Sequence, residues 1–164
     1  MSATSSTLTG GTWLGTLLSG YPHEIIGDPQ RPYLKRWFLV PRNGWHNVYL
    51  HKFLRDDDPE DALHDHPWSF TSLLLWGRYR ESTVAGSRIR SAGTLAYRRA
   101  EHRHRITLLR DRSGREKPCY TIIVTGSRRR IWGFWCPAAG QPRFVPAEEF
   151  GPGGCGEPNM KAAR

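Results

Sequence analysis

The sequence predicts a single-domain, all-β protein with one short helix near its N-terminus. From residue 33 onward, short runs of β-branched and aromatic residues alternate with clusters of Gly, Pro, Asp and Ser, which is typical of antiparallel strands joined by turns. The chain has 164 residues, of which 38% are hydrophobic, enough to form one core without disulfide bonds. Among all-β architectures, a jelly roll hides the strand edges in two sheets and leaves a mouth between them.

The predicted helix lies in the segment TWLGTLLSGY. Its apolar residues fall at helical spacing, and a glycine follows them as a natural end point. These residues are Trp13, Leu14, Leu17, Leu18 and Gly20. Residues 1–11 and 151–164 are rich in Ser, Thr and Gly, so we expect flexible tails around a domain that spans residues 12–150.

The predicted strands follow in order along the rest of the chain. They are the runs YLKRWFLV, NVYLHKFL, FTSLLLWGRYRES, GTLAYRR, HRITLL, CYTIIVTG and IWGFWCP. No run approaches the roughly 20 apolar residues that a membrane span needs, and the N-terminus does not resemble a signal peptide. We therefore expect a cytoplasmic protein in which Cys119, Cys136 and Cys155 are reduced, mainly structural thiols.

The chain is strongly basic, with a formal net charge of +9 that comes almost entirely from arginine. One interpretation is a surface that binds the phosphates of a nucleic acid, because guanidinium groups hold phosphate in a bidentate manner. The other is a genome composition that favours Arg over Lys, with the arginines solvated on exposed strand faces. We favour the second interpretation and keep the first as an alternative.

The histidines are not scattered. His64 and His66 are two residues apart, and so are His102 and His104, and both pairs fall in predicted strands. Alternation along a strand places such a pair on one face, so Asp65 faces the other way. Neutral imidazoles that point into a concave sheet are suitable ligands for a transition metal. The cysteines lack the spacing of a structural zinc site.

The segments HDHPWSFTSLLLWG and GTLAYRRAEHRH resemble the two conserved motifs of the cupin superfamily. The resemblance covers about residues 47–137. Within the superfamily, the chain resembles most specifically a group of small cupins encoded by bacteria and phages. In the first motif the resemblance aligns His64, His66 and Gly77 with the two histidines and the final glycine, and it places Phe70 at the position of the glutamate. In the second motif, aligned from Gly93, it selects His104 rather than His102.

The resemblance implies a cupin jelly-roll barrel that holds one divalent transition metal on His64, His66 and His104. Because Phe70 replaces the glutamate, the set resembles the three-histidine sites of thiol dioxygenases such as cysteine dioxygenase. It implies Fe(II), with Ni, Mn, Zn or Cu as other possible ions, and an oxygenase that acts on a small anionic substrate and dioxygen. Cupins also include isomerases, epimerases and binding proteins without enzymatic activity, which are alternatives here.

Three further residues are candidates for the catalytic site. His51 shares a strand face with Tyr49 and Phe53 and either lines the cavity or is a buried histidine bonded to a carboxylate. Glu101 either orients an imidazole or pairs with a neighbouring arginine. Arg130 either points into the barrel toward a substrate anion or lies exposed. The acidic turn RDDDPED is expected to be a solvated loop, with control of access to the mouth as the alternative. The protein is expected to be a monomer or a homodimer.

Overall fold

The computed structural model describes residues 5–7, 12–151 and 154–155. Within these residues it contains one helix, α1, at Trp13–Ser19, together with two antiparallel sheets. The strands in chain order are β1 Ser5–Thr7, β2 Glu24–Asp28, β3 Arg31–Phe38, β4 Asn47–Phe53, β5 Leu63–His64, β6 Phe70–Trp76, β7 Arg78–Thr83, β8 Gly86–Ser91, β9 Leu95–Arg98, β10 His104–Leu108, β11 Cys119–Thr125, β12 Gly133–Cys136 and β13 Arg143–Pro146. The predicted all-β class with a short N-terminal helix is confirmed.

The two sheets have the strand order of a jelly roll. Seven strands form one sheet in the order β1-β2-β3-β4-β11-β6-β9, and six form the other in the order β13-β12-β5-β10-β7-β8. Successive strands from β4 to β7 alternate between the sheets, and so do β9, β10 and β11, with β9 at the edge beside β6. This order places β11 between β4 and β6, and β10 between β5 and β7. The inner faces of the sheets therefore enclose a space that opens at one end.

Helix α1 begins and ends as its sequence predicts. The side chain of Thr12 accepts a hydrogen bond from the amide of Gly15 at 3.1 Å, and Gly20 ends the helix at φ 76°. The leucines of the helix are not buried, and Leu18 is 78% exposed. The helix is held instead by the indole of Trp13, which donates to the carbonyl oxygen of Phe38 in β3 at 2.8 Å.

The main apolar cluster lies between the sheets. Its buried members are Leu34, Phe53, Leu74, Tyr79, Ile106, Leu108 and Cys119. Gly77 joins β6 to β7 beside this cluster at φ 90°, a conformation that residues with a side chain rarely adopt. A Cβ at Gly77 would lie 2.8 Å from the Cβ of Cys119, so glycine is required here. No helix among the described residues is long and apolar enough to cross a bilayer.

The expectation that the cysteines are all reduced thiols was wrong. Cys136 and Cys155 form a disulfide, whereas free thiols were predicted; Cys119 is free and buried. The pairing follows from the fold, because β12 and β13 form a hairpin that carries the following segment back to Cys136. Ser5–Thr7, within the predicted N-terminal tail, pairs with β2, and Cys155 is fixed within the predicted C-terminal tail. Apart from residues 5–7, 151 and 154–155, both tails lie outside the described residues.

Candidate metal centre

A cavity of about 610 Å³ lies between the two sheets and has the size of a small-molecule site. Its wall combines apolar side chains such as Leu34 and Phe70 with histidines and charged groups. His64, His66, His104 and His51 all line it, and they come from both sheets or from the loop that follows β5. The cavity therefore brings together residues that are far apart in the sequence.

The structure brings His64, His66 and His104 together. His64 ends β5 and His104 begins β10, and the two residues are paired directly across these strands. His66 lies beyond the two-residue strand β5, so a loop rather than strand alternation places it, with its amide bonded to the carbonyl of Ala100 at 3.0 Å. The three ring centroids lie 4.9 to 5.1 Å apart.

The geometry of these imidazoles fits a single transition-metal ion. The Nε2 atoms of His66 and His104 are 2.9 Å apart. Two nitrogen ligands at the usual 2.0–2.1 Å from one ion, at right angles to each other, are separated by about 3.0 Å. One ligand nitrogen from each of the three histidines falls within a group whose members all lie within 4.8 Å of one another. These residues could hold a metal.

The protonation state of the histidines also fits. Burial lowers the pKa of His64 to about 4, although the nearby Asp57 carboxylate opposes this shift. Burial, followed by the neighbouring His64 and His104, holds the pKa of His66 well below its ordinary value. Both rings are therefore neutral at neutral pH, and a neutral imidazole has the free lone pair that a metal needs.

Carboxylates lie near the Nδ1 atoms of two of the three rings. The Nδ1 atom of His104 lies 3.3 Å from Oε1 of Glu81 and can donate a hydrogen bond to it. The Nδ1 atom of His64 faces Asp57 at 3.7 Å. A carboxylate that holds the Nδ1–H of an imidazole fixes its tautomer and leaves Nε2 free toward a metal. In His104 that free Nε2 atom is the one that faces His66.

Glu81 was missed in the sequence analysis. It is 1% exposed and accepts hydrogen bonds from Arg98 Nη2 at 2.6 Å and from Arg90 Nε at 2.7 Å. Burial alone would raise the pKa of Glu81, but the hydrogen bonds from His104, Arg98 and Arg90 outweigh it and hold the pKa well below its ordinary value. The available signal was strand alternation, which places Glu81 on the same buried face of β7 as Tyr79.

Asp57 corrects the prediction that the whole acidic turn is solvated. Asp58 and Glu60 are exposed, but Asp57 is 7% exposed and faces inward. Its carboxylate accepts hydrogen bonds from the hydroxyl of Tyr33 and from the amide of Ile106, the latter at 2.5 Å. The turn thus joins β3 to β10 and positions a carboxylate beside His64.

Phe70 occupies the position where the cupin motif has a glutamate. Its ring meets the ring of His66 edge to face, with a centroid distance of 4.8 Å, and lies 6.0 Å from that of His104. The side chain therefore packs against the histidines and offers no ligand atom. The set of candidate ligands here is made of imidazoles alone.

His102 lies outside the three-histidine group. It belongs to the turn before β10, its side chain is 34% exposed, and its Nε2 atom is 3.7 Å from Oε1 of Glu81. Glu81, His102 and His104 form a second group close enough to hold a metal. However, Glu81 already accepts hydrogen bonds from Arg90 and Arg98, and these cations oppose a further positive ion.

The other candidate residues have different surroundings. His51 lines the cavity and accepts a hydrogen bond from Arg36 Nε at 2.8 Å, and no carboxylate of the described residues is bonded to it. Glu101 lies exposed in the turn that follows β9. Arg130 donates a hydrogen bond to Asp65 at 2.6 Å, so the anion that pairs with Arg130 is the Asp65 carboxylate. Asp65 is fully buried and also accepts from the amide of Gly133, which explains why it faces away from the histidines.

Solved structures of cupin and double-stranded β-helix proteins are similar to this chain. A double-stranded β-helix protein from Klebsiella pneumoniae is 17% identical and has a TM-score of 0.48, over 71% of this chain and 92% of that one. A cupin superfamily protein from Desulfitobacterium hafniense is 10% identical with a TM-score of 0.44, over 57% and 77%. No family model and no curated protein matches the sequence.

KdgF from Halomonas sp. is a further solved structure to which this chain is similar. It is 16% identical, with a TM-score of 0.46, over 63% of this chain and 87% of that one. These likenesses concern the fold alone. The chemistry of the site depends on the residues described above.

Proposed function

We propose that this protein is a metal-dependent cupin enzyme, an iron-dependent oxygenase that acts on a small anionic substrate. The observation that carries the proposal is the 2.9 Å separation of the Nε2 atoms of His66 and His104, with a carboxylate behind His104. Imidazole nitrogen is a suitable ligand for iron. Three neutral ligands leave some coordination positions of a divalent ion open and leave its positive charge uncompensated. Iron held there would bind dioxygen and pass to it the electrons that the substrate loses on oxidation.

The charges of the cavity wall favour an anionic substrate. The wall carries four arginines and three carboxylates, an excess of one positive charge before any metal is counted. These residues are Arg36, Arg42, Arg98, Arg128, Glu24, Asp57 and Glu81. Arg42 and Arg128 have side chains that are 68% and 61% exposed, so they can meet an anion as it enters. Inside, the substrate meets walls that are largely apolar.

The chain's own contribution is to position the substrate and to exclude water. Phe70 and Trp132 flank His66, the first edge to face and the second stacked at 6.4 Å with an angle of 9° between the rings. Aromatic walls of this kind keep the metal ligands dry and fix the plane of an imidazole. A closed, low-dielectric site strengthens the attraction between a divalent cation and an anionic substrate.

Metal analysis and oxygen uptake together test the proposal. Protein purified without added metal should contain stoichiometric metal, and His64→Ala, His66→Ala and His104→Ala should each lose it while keeping the β-sheet circular dichroism spectrum. His102→Ala is the matched control and should keep the metal. The iron-loaded protein should consume oxygen with a small thiol, amino acid or keto acid, and the zinc-loaded protein should not. Metal loss in His102→Ala but not in His104→Ala would contradict the assigned ligands.

The nucleic-acid alternative is favoured by the exposed arginines of the outer strands. Arg78, Arg80 and Arg88 lie exposed on β7 and β8. Two other arginines have partners inside the protein, because Arg98 binds Glu81 and Arg130 binds Asp65. A gel-shift assay across a salt series tests this alternative, which requires an affinity that falls steeply with salt. The absence of any shift at low salt would exclude it.

A further inference from the structure

Two residues of the cavity wall each carry a buried polar atom that has no hydrogen-bond partner among the described residues. The two atoms are Nδ1 of His51 and Oγ1 of Thr121. His51 is 6% exposed and Thr121 is 2% exposed, and both line the cavity. The two residues are directly opposite each other on β4 and β11, so their side chains lie side by side on the same face. A buried polar group without a partner is costly to the protein.

The contacts of His51 determine which of its nitrogens carries the proton. Arg36 donates from Nε to Nε2 of His51 at 2.8 Å, and a guanidinium group has no acceptor atom. Nε2 must therefore be the acceptor, so the proton of the neutral ring is on Nδ1. Burial, followed by the charge of Arg36, holds the pKa of His51 well below its ordinary value, which keeps the ring neutral. Nδ1–H is thus a hydrogen-bond donor without an acceptor.

The donor is held in place from several sides. Arg36 is itself fixed by Glu24, which accepts a hydrogen bond from its Nη1 atom at 2.9 Å. The ring of His51 stacks on Tyr49 with a centroid distance of 5.6 Å and meets Phe53 edge to face at 5.7 Å. The hydrogen bonds from Glu24 through Arg36 to His51 therefore fix the tautomer, and together with the two aromatic neighbours they fix the ring plane. Donors that are fixed before a ligand arrives bind it with little loss of entropy.

We propose that the Nδ1–H of His51 and the hydroxyl of Thr121 form a two-donor subsite for a carboxylate oxygen of the substrate. A carboxylate is favoured over a neutral carbonyl because the guanidinium of Arg36 lies directly behind the imidazole. The subsite is on the seven-stranded sheet, whereas His64 and His104 are on the six-stranded sheet. This inference rests on the proposed function. It describes the substrate as an acid whose carboxylate is distant from the group that reaches the metal.

Nuclear magnetic resonance on protein labelled with ¹⁵N-histidine tests the tautomer. The spectrum of the wild-type protein should show His51 as a neutral ring protonated on Nδ1. Arg36→Met removes the donor to Nε2 and should allow the proton to move to that atom. A His51 ring protonated on Nε2 in the wild-type protein would overturn the inference, because Nδ1 would then be an acceptor.

Titration with malonate and with succinate tests the binding step. Either acid should shift the Nδ1–H resonance of His51 in the zinc-loaded protein, and Thr121→Val should weaken its binding about tenfold, the effect of removing one hydrogen bond to a charged group. Thr125→Val is the matched control, because Thr125 is also 2% exposed, lines the cavity and lies on the same face of β11. It should bind the acid as the wild-type protein does.

Substitutions at His51 separate a donor role from a packing role. The amide of His51→Gln can accept from Arg36 and donate to the ligand, so this variant should retain most of the affinity, whereas His51→Phe should lose it as Thr121→Val does. If neither acid shifts His51, or if Thr121→Val binds as tightly as the wild-type protein, the inference is wrong. The same titration on metal-free protein separates the two proposals, since a protein that binds no metal but still shows the His51 shift would contradict only the proposed function.

Discussion

Replacement of Glu81 by glutamine tests how the site is held together. Glu81 is 1% exposed and is the counter-ion of Arg98, which is 7% exposed and donates to it from Nε at 2.9 Å and from Nη2 at 2.6 Å. Glutamine keeps the shape of the side chain but removes its charge. The guanidinium of Arg98 is then left buried without a counter-ion, and the Nδ1–H of His104 loses its charged acceptor.

The expected loss is large. Removal of one partner of a buried ion pair costs about 3–5 kcal/mol. In a domain of this size, each kcal/mol lowers the melting temperature by about 2–4 °C, so we expect Glu81→Gln to melt about 6–20 °C lower than the wild-type protein. Loss of the carboxylate behind a metal ligand separately weakens metal binding by about 10–100-fold. Circular dichroism on metal-free protein measures the first effect, and competition with a chromophoric chelator measures the second.

A second substitution separates the two effects. Glu81→Gln/Arg98→Met removes both charges, so it should recover much of the melting temperature while metal binding stays weak. Glu149→Gln, which changes an exposed carboxylate, should alter neither quantity. If Glu81→Gln melts and binds metal as the wild-type protein does, the carboxylate neither stabilises Arg98 nor orients His104, and the reasoning fails.

The remaining predictions concern pH and the disulfide. Burial and the charge of Arg36 lower the pKa of His51 in the folded protein below its unfolded value of 6.5. Below pH 6.5 the unfolded chain therefore binds a proton that the folded chain does not bind, and the free energy of unfolding should fall as the pH decreases. This fall should be smaller in His51→Phe, and urea unfolding at several pH values measures it; equal slopes would contradict the assignment. Cys155→Ser opens the loop that the disulfide closes over a separation of 19 residues and should destabilise the protein by about 3 kcal/mol. Alkylation of unfolded, unreduced protein should label Cys119 alone, and labelling of all the cysteines would exclude the disulfide.

Strand periodicity predicted the parts of the fold that alternate clearly. The runs that contain β3, β4, β6, β10 and β11 read as strands because one face is apolar and buried. β8 was missed because five of its six residues are exposed, which removes the alternation. β5 was too short to carry a pattern of its own, and it matters because its pairing with β10 places His64 opposite His104.

The residues of the candidate site were also predicted only where the sequence itself carries a pattern. His64, His66 and His104 were predicted as ligands from their spacing and from the resemblance to cupin motifs. Glu81 and Asp57 were not found, because their roles depend on contacts with residues 23 and 7 positions away that only the folded sheets create. The Cys136–Cys155 pairing was hidden for a similar reason, since no cysteine framework in the sequence points to it. Local patterns predict which side chains can act, and the packing of the sheets decides which of them meet.

An anomalous difference map from a crystal of the purified protein, recorded at the absorption edges of iron, nickel, manganese, zinc and copper, tests the central claim most directly. One peak is expected within about 2.0–2.2 Å of Nε2 of His66 and His104 and of a ring nitrogen of His64. A peak held instead by Glu81 and His102, or three imidazoles with no ion between them in protein supplied with each metal, would contradict it.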